Sequence, residues 1–206
     1  MPNTPIAKIP YPSGSDAPAA AADMMAAFMN LDDRVVLKAI DAADRDSKYA
    51  DAPTGTLVTS GPSKTVWLKH GPGPTEWTTV HEDTGWVNKG FVIASGWEIN
   101  THLTARRVNK SVEIRGQLTR TGNDITANLS TNPGNIADTA VCSIPPQFWP
   151  NAPTTVVDSF LSYVTGGTMS LTSSGTIHLR DAHPGSVIAT GEWLQFSMSF
   201  FQDKEA

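Results

Sequence analysis

The sequence predicts a mainly β protein: an N-terminal extended arm, a single coiled-coil-like α-helix, a small β collar and a C-terminal antiparallel β-sandwich. Three observations carry this expectation. Among 206 residues, Ser and Thr number 40 and Gly plus Pro number 31, a balance that suits strands and turns. Residues 19–52 contain neither Gly nor Pro, whereas five prolines crowd residues 1–18. From about residue 84 onward, apolar and polar residues alternate with period two, the mark of half-buried strands.

The arm occupies residues 1–16. Proline fixes φ and lacks an amide donor, so this stretch stays extended. Ile6, Ile9 and Tyr11 are its only sizeable apolar groups. They are too few to fold alone, and the arm is expected to become ordered by lying along a partner as an anchor.

The helix is predicted over 17–50, with Ser15-Asp16 as its N-cap. Met24, Phe28, Leu31 and Val35 recur at spacings of 4, 3 and 4, an a/d-type seam lasting about two heptads. Met25, Met29, Val36 and Ile40 widen the stripe. Leaving it in water costs ~1.5–3 kcal/mol per large side chain, so association of chains is expected. The seam alone does not choose between dimer and trimer.

The collar covers 51–83. Leu57-Val58-Thr59 and Thr65-Val66-Trp67-Leu68 flank SerGlyProSer (60–63) as a hairpin, and GlyProGlyPro (71–74) turns the chain into Trp77-Thr78-Thr79-Val80. The head domain, 84–206, contains the alternating runs 112–119, 169–171, 177–180 and 194–200, with an Asn109-Lys110 turn before the first. Residues 139–179 hold a single charged residue, Asp158. So little charge on a soluble sheet implies covered faces or a neutral, hydroxyl-rich contact surface.

Composition excludes several functions. The formal net charge of −5 gives no positive field for a phosphate backbone or an anionic membrane, so neither nucleic acid nor membrane is an expected partner. No run reaches the ~18 apolar residues of a membrane span. The first residues lack the charged-then-apolar pattern of a secretory signal, so synthesis in a cytoplasm is expected. One cysteine, Cys142, allows neither an intramolecular disulfide nor a Cys-based zinc site.

Catalytic signatures are absent. GlyProSerLysThr (61–65) lacks the second glycine and the following helix of a phosphate-binding loop, and no G-x-S-x-G occurs. His178, Asp181 and His183 fall within six residues but without a metal-site spacing, and read as loop decoration. Asp32-Asp33 and Glu82-Asp83 are adjacent pairs, not carboxylates facing across a substrate. Arg106, Arg107, Lys110, Arg115 and Arg120 divide between the faces of a hairpin and read as ordinary salt-bridged surface. No catalytic residue, cofactor or metal is therefore predicted, and the chain is read as not an enzyme. The contact candidates are loop residues: ThrGlyAsnAsp (121–124) and ArgAspAlaHisProGly (180–185), where Asp181 and His183 offer an acceptor and a switchable donor to sugar hydroxyls. Trp149, inside ProProGlnPheTrpPro, reads either as a core ring or as a stacking face.

Segments 8–18, 43–58 and 65–69 (ThrValTrpLeuLys) resemble the N-terminal modules of minor tail or fibre proteins from phages of actinobacteria. ArgArgValAsnLysSerValGluIleArgGlyGlnLeuThrArg (106–120) followed by CysSerIleProProGlnPheTrpPro (142–150) resembles phage fibre head domains, with Ile144 and Gln147 where that family carries Leu and Gly. The resemblance implies a homotrimeric virion-surface protein, made in the host cytoplasm and bound to other virion proteins through the arm. It implies a short tail fibre or receptor-binding spike whose head meets host cell-wall glycan. A capsid decoration protein or head fibre shares this plan. A glycan-degrading tailspike is the enzymatic alternative, and no residue pair supports it.

Overall fold

An alternating strand buries one face, and ten such strands in succession must find one shared interior. The computed structural model of the protein describes residues 22, 24–27, 29, 36–151 and 155–202. The chain divides into two units, Met1–Glu82 and Asp83–Ala206.

In the first unit, residues 22, 24–27 and 29 are helical, and the seam residue Met24 is 57% exposed. The other seam residues, Phe28, Leu31 and Val35, and the arm residues Ile6, Ile9 and Tyr11 lie outside the described residues. The helix expected to run unbroken to residue 50 does not. Leu37–Lys38 form β1, paired in parallel with Val58 and Thr59, and a separate helix α1 spans Ala42–Lys48. The competing interactions are local. Asp41 caps α1 by accepting from the Asp44 amide at 2.9 Å, and the Asp44 carboxylate accepts from the Ile40 amide at 2.9 Å. That amide, and then Lys48, hold the Asp44 carboxyl below its ordinary range. Sheet pairing and a new N-cap thus override the helical preference of the alanine-rich run.

The sheet of this unit continues through β2 (Leu57–Ser60), β3 (Thr65–Lys69) and β4 (Trp77–Glu82) in the order β1-β2-β3-β4. On β3 the fully covered face is Thr65, Trp67 and Lys69, while Val66 and Leu68 are only half-buried. Lys69 is 0% exposed. Its ammonium donates to the carbonyls of Ala50 and Gly73 and lies 4.8 Å from the Trp77 ring. The Arg45 guanidinium lies 4.8 Å from the ring of Trp67 and 5.0 Å from that of Trp77. Among the described residues Val58 and Ala39 are the buried aliphatic groups of this core, which is completed by cations on indole faces.

The second unit contains β5 (Val92–Ile93), β6 (Trp97–Val108), β7 (Ser111–Arg120), β8 (Ile125–Thr126), β9 (Asn135–Ser143), β10 (Val156–Ser162), β11 (Gly166–Leu171), β12 (Thr176–Ala182), β13 (Val187–Ile188) and β14 (Trp193–Phe201). The expected two-sheet sandwich is a single antiparallel sheet of eight strands, ordered β5-β9-β12-β11-β10-β14-β7-β6, with β8 and β13 forming a separate ribbon. The sheet curls until its edges approach. Val87 bridges Ala105 on β6, and five residues later Val92 pairs with Ser143 on β9. One interior results, filled from every strand by residues such as Leu103, Ile114, Met169, Leu179 and Leu194. A nearly closed barrel satisfies the same alternation as a sandwich and leaves fewer open edges.

Gly116 makes this curl possible. It lies between Phe196 on β14 and Leu103 on β6, and a Cβ there would stand 2.6 Å from the Phe196 ring and 2.9 Å from Leu103 Cδ1. The missing side chain is the space that the Phe196 ring fills. The β6–β7 connection is the two-residue Asn109-Lys110 turn, with Asn109 at φ 54°, a conformation asparagine tolerates. We expect Gly116→Val to overpack the barrel by about 1–3 kcal/mol. Thermal unfolding followed by near-ultraviolet circular dichroism should show a melting temperature lower by several degrees.

Candidate functional site

The antiparallel alternation of the barrel strands sorts their loops into two ends. The chain enters at Asp83, which bridges Val108. At that end lie the 109–110 turn, the 144–151 segment and the 172–175 turn. At the opposite end lie loops 121–124, 127–134, 163–165 and 183–192. Of the two stretches expected to be loops, 121–124 turns the chain, whereas in 180–185 the residues Arg180, Asp181 and Ala182 finish β12 by pairing with β11 and only His183, Pro184 and Gly185 form a turn. The two stretches lie at the same end. Thr190 joins them to the rest of this end: its hydroxyl donates to Gly122 O at 2.6 Å, and its amide donates to the Asp124 carboxylate at 2.8 Å. The Gly185 amide donates to Ala127 O at 3.1 Å.

Beside them is an open groove of about 330 Å³, lined by Asn132, Pro133, Gly134, Asn135, Arg180, Asp181 and Ala182. Arg180 is partly exposed and pairs with Asp138 at 2.8 Å. Two carboxamides, a guanidinium and backbone groups give donors and acceptors without a nucleophile and its base side by side, an arrangement suited to holding hydroxyl groups.

Asp181 does not stand free in this groove. One carboxylate oxygen accepts from the Thr168 amide at 3.1 Å and the other from the Thr168 hydroxyl at 2.6 Å. These bonds hold the register shift between Thr168 and Met169, where β11 meets β12. His183 is exposed in its turn. Trp149 lies at the other end, where the chain enters. Its indole N–H donates to Ile144 O at 2.9 Å, its ring covers Gly175 at φ +80°, and it packs against the barrel interior. The core alternative is the one that these contacts describe.

The hairpin tip at 163–164 carried no sequence expectation. The buried Ser162 hydroxyl accepts from the Thr165 amide at 3.0 Å and donates to Thr165 O at 2.9 Å. This tight turn pushes Tyr163 outward until it is 79% exposed. Its signal was the Thr165-Gly166-Gly167 stretch that follows, which permits so abrupt a reversal.

The basic cluster is engaged internally. Arg106 makes two bonds to Asp83 at 2.9 and 2.7 Å, which raise its affinity for the proton above the usual arginine value. Arg115 pairs with Glu113 at 2.6 Å, Arg107 donates to Gln147 O at 3.0 Å, and Arg120 donates to the carbonyls of Asn123 and Gly96. Among the described residues no group of three or more His, Cys, Asp or Glu side chains could hold a metal ion, and no helix is long and apolar enough to cross a membrane.

No protein-family model matches the chain, and no curated protein does. A solved structure similar to it is the head domain of the lactococcal phage bIL170, described in connection with a common fold for the receptor-binding domains of lactococcal phages. It is 19% identical, covering 57% of this chain and 97% of that one, with a TM-score of 0.41.

The two sequence-predicted loop residues should separate by experiment. Asp181→Ala removes two charge-assisted bonds worth roughly 1 kcal/mol or more together and is expected to lower the melting temperature. His183→Ala at an exposed turn should stay within about 0.5 kcal/mol. Equal melting temperatures for both variants and the parent would show that the Thr168 contact holds nothing.

Proposed function

We propose that the chain is a non-enzymatic structural protein of the bacteriophage virion surface: a short homotrimeric tail fibre or receptor-binding spike of a phage of actinobacteria. In this reading the loop end of its barrel meets host cell-wall glycan. The observation that carries it is the gathering of hydrogen-bonding loops, sparse in charge, at the barrel end opposite the entry of the chain. Binding groups concentrate on loops held by a rigid scaffold, and loops built from Asn, Thr, Ser, Gly and an exposed tyrosine can match many hydroxyl patterns. The charged groups there are engaged within the protein: Arg180 with Asp138, Asp181 with Thr168, Asp124 with the Thr190 amide and Glu192 with the Ala189 amide. The family resemblance of segments 8–18, 43–58, 65–69, 106–120 and 142–150 supports the virion setting, and the Pro-rich arm is assigned to attachment on the particle.

Purified full-length protein should sediment with isolated actinobacterial cell walls. Asn132→Ala combined with His183→Ala should weaken that binding by about tenfold, the scale of losing contacts worth roughly 1.4 kcal/mol, without a change in melting temperature. Absence of wall binding by the parent protein would move the assignment to a capsid decoration protein or head fibre. Separately, removal of residues 2–14 should leave a folded protein that is no longer incorporated into particles. Normal incorporation would place attachment elsewhere.

A further inference from the structure

The outer wall of the barrel is unevenly charged. On β6 and β7 it carries Arg106, Glu113 and Arg115, and on β9 and β12 it carries Asp138 and Arg180. Between these two charged flanks, β10 and β14 are adjacent strands, with Leu161 opposite Gln195. Their outward residues are Val157, Ser159 and Leu161 on β10 and Gln195, Ser197, Ser199 and Phe201 on β14, without a single formal charge. Asp158 falls on the alternate row, with Val156 and Phe160. Val157, Leu161 and Phe201 are 63%, 62% and 77% exposed. Gly166 and Ser170, the β11 partners of Leu161 and Val157, are too small to cover them, and the hairpin tip adds Tyr163 and Val164.

We infer that this β10–β14 face is where the barrels of neighbouring copies of the chain meet. The occupant follows from charge. Next to the axis of a cyclic assembly the equivalent residues of all copies gather, so a charge there meets its like, a cost that a neutral strip avoids. The neutral strip is flanked by charged walls suited to water, and its apolar groups together with small hydroxyls match the charge-depleted centre of a subunit interface. A glycan partner would not require three large apolar side chains in the open. The inference rests on the reading of the chain as a homo-oligomeric virion protein. It adds that the barrels themselves make contact, independently of the N-terminal helix.

Cross-linking of the full-length protein tests this. Cys142 is 1% exposed, and burial pushes its thiol pKa up to about 12, so it stays silent toward maleimides. Ser159→Cys places one thiol on the proposed face. With a short bis-maleimide at ~10 µM protein it should link chains on the order of tenfold or more faster than His183→Cys, since within one oligomer only thiols held inside the linker's reach are joined. Leu161→Asp added to Ser159→Cys should abolish the advantage while the circular dichroism spectrum is retained. Equal rates for the two single variants, or an advantage that survives Leu161→Asp, overturn the inference. Cross-linking with no wall binding would strike only the receptor-contact reading, and wall binding with no cross-linking would strike only the interface.

Discussion

Closure of the eight-stranded sheet is the constraint on which the second unit depends. A sheet with one apolar face needs a cover, and this chain supplies it by curling the sheet over its own interior. The curl needs room on the inside, which Gly116 leaves for the Phe196 ring. It also needs a bridge across the seam, which the 87–94 segment makes by bonding Ala105 on one edge and Val141 on the other. Once the interior is shared, every outward position is released from packing. The loops and the outer wall are then free to vary without cost to the core, which is the physical reason the proposed contacts are placed there.

The first unit solves a smaller version of the problem by other means. With few strands it cannot enclose an aliphatic interior of useful size, and it places Arg45 and Lys69 against Trp67 and Trp77 instead. A guanidinium or ammonium over an indole face buries its methylene stem while its charge finds the ring and backbone carbonyls. Lys69 in particular ties the 71–74 turn to the end of α1 through Gly73 and Ala50. In such a unit a lysine inside is a packing residue.

Much of the barrel was legible in its residues. The period of two over 112–118 and 194–200 gives the strands and their inward rows, and Asn109-Lys110 gives the turn. A sandwich and a barrel share that alternation, however, and only the long-range bridge of Val87 with Ala105 separates them. The helix was over-extended for a related reason. The stretch near Leu37, free of Gly and Pro, reads as continuing helix until its partner strand, some twenty residues later, claims its backbone. At the candidate site, composition located the turns at 121–124 and 183–185 but missed that Arg180, Asp181 and Ala182 belong to β12, and the strand order brought both stretches to one end. It could not show that Asp181 is engaged by Thr168, because that contact arises from a register shift which no local pattern encodes. Trp149 was ambiguous for the opposite reason: a proline-rich setting suggests exposure, while the seat over Gly175 is a tertiary feature.

The scarcity of charge in 139–179 acquires a meaning only on the folded barrel. Along the chain it spans β10, β11 and most of β9 and β12, yet these strands do not present it equally. Arg180 and Asp138, just outside that range, put a charged pair on the β9–β12 wall, while Ser170 is itself buried on the outward row of β11. The neutral stretch thus reaches open surface chiefly on β10, and β14 extends it by contributing Gln195, Ser197 and Ser199 from a different part of the sequence. Two segments remote in sequence share one electrostatic character because they share one wall. Random variation on a solvent-facing strand would admit lysine or glutamate at such positions at little cost, so the neutrality of both strands together is the property of a surface that another surface covers.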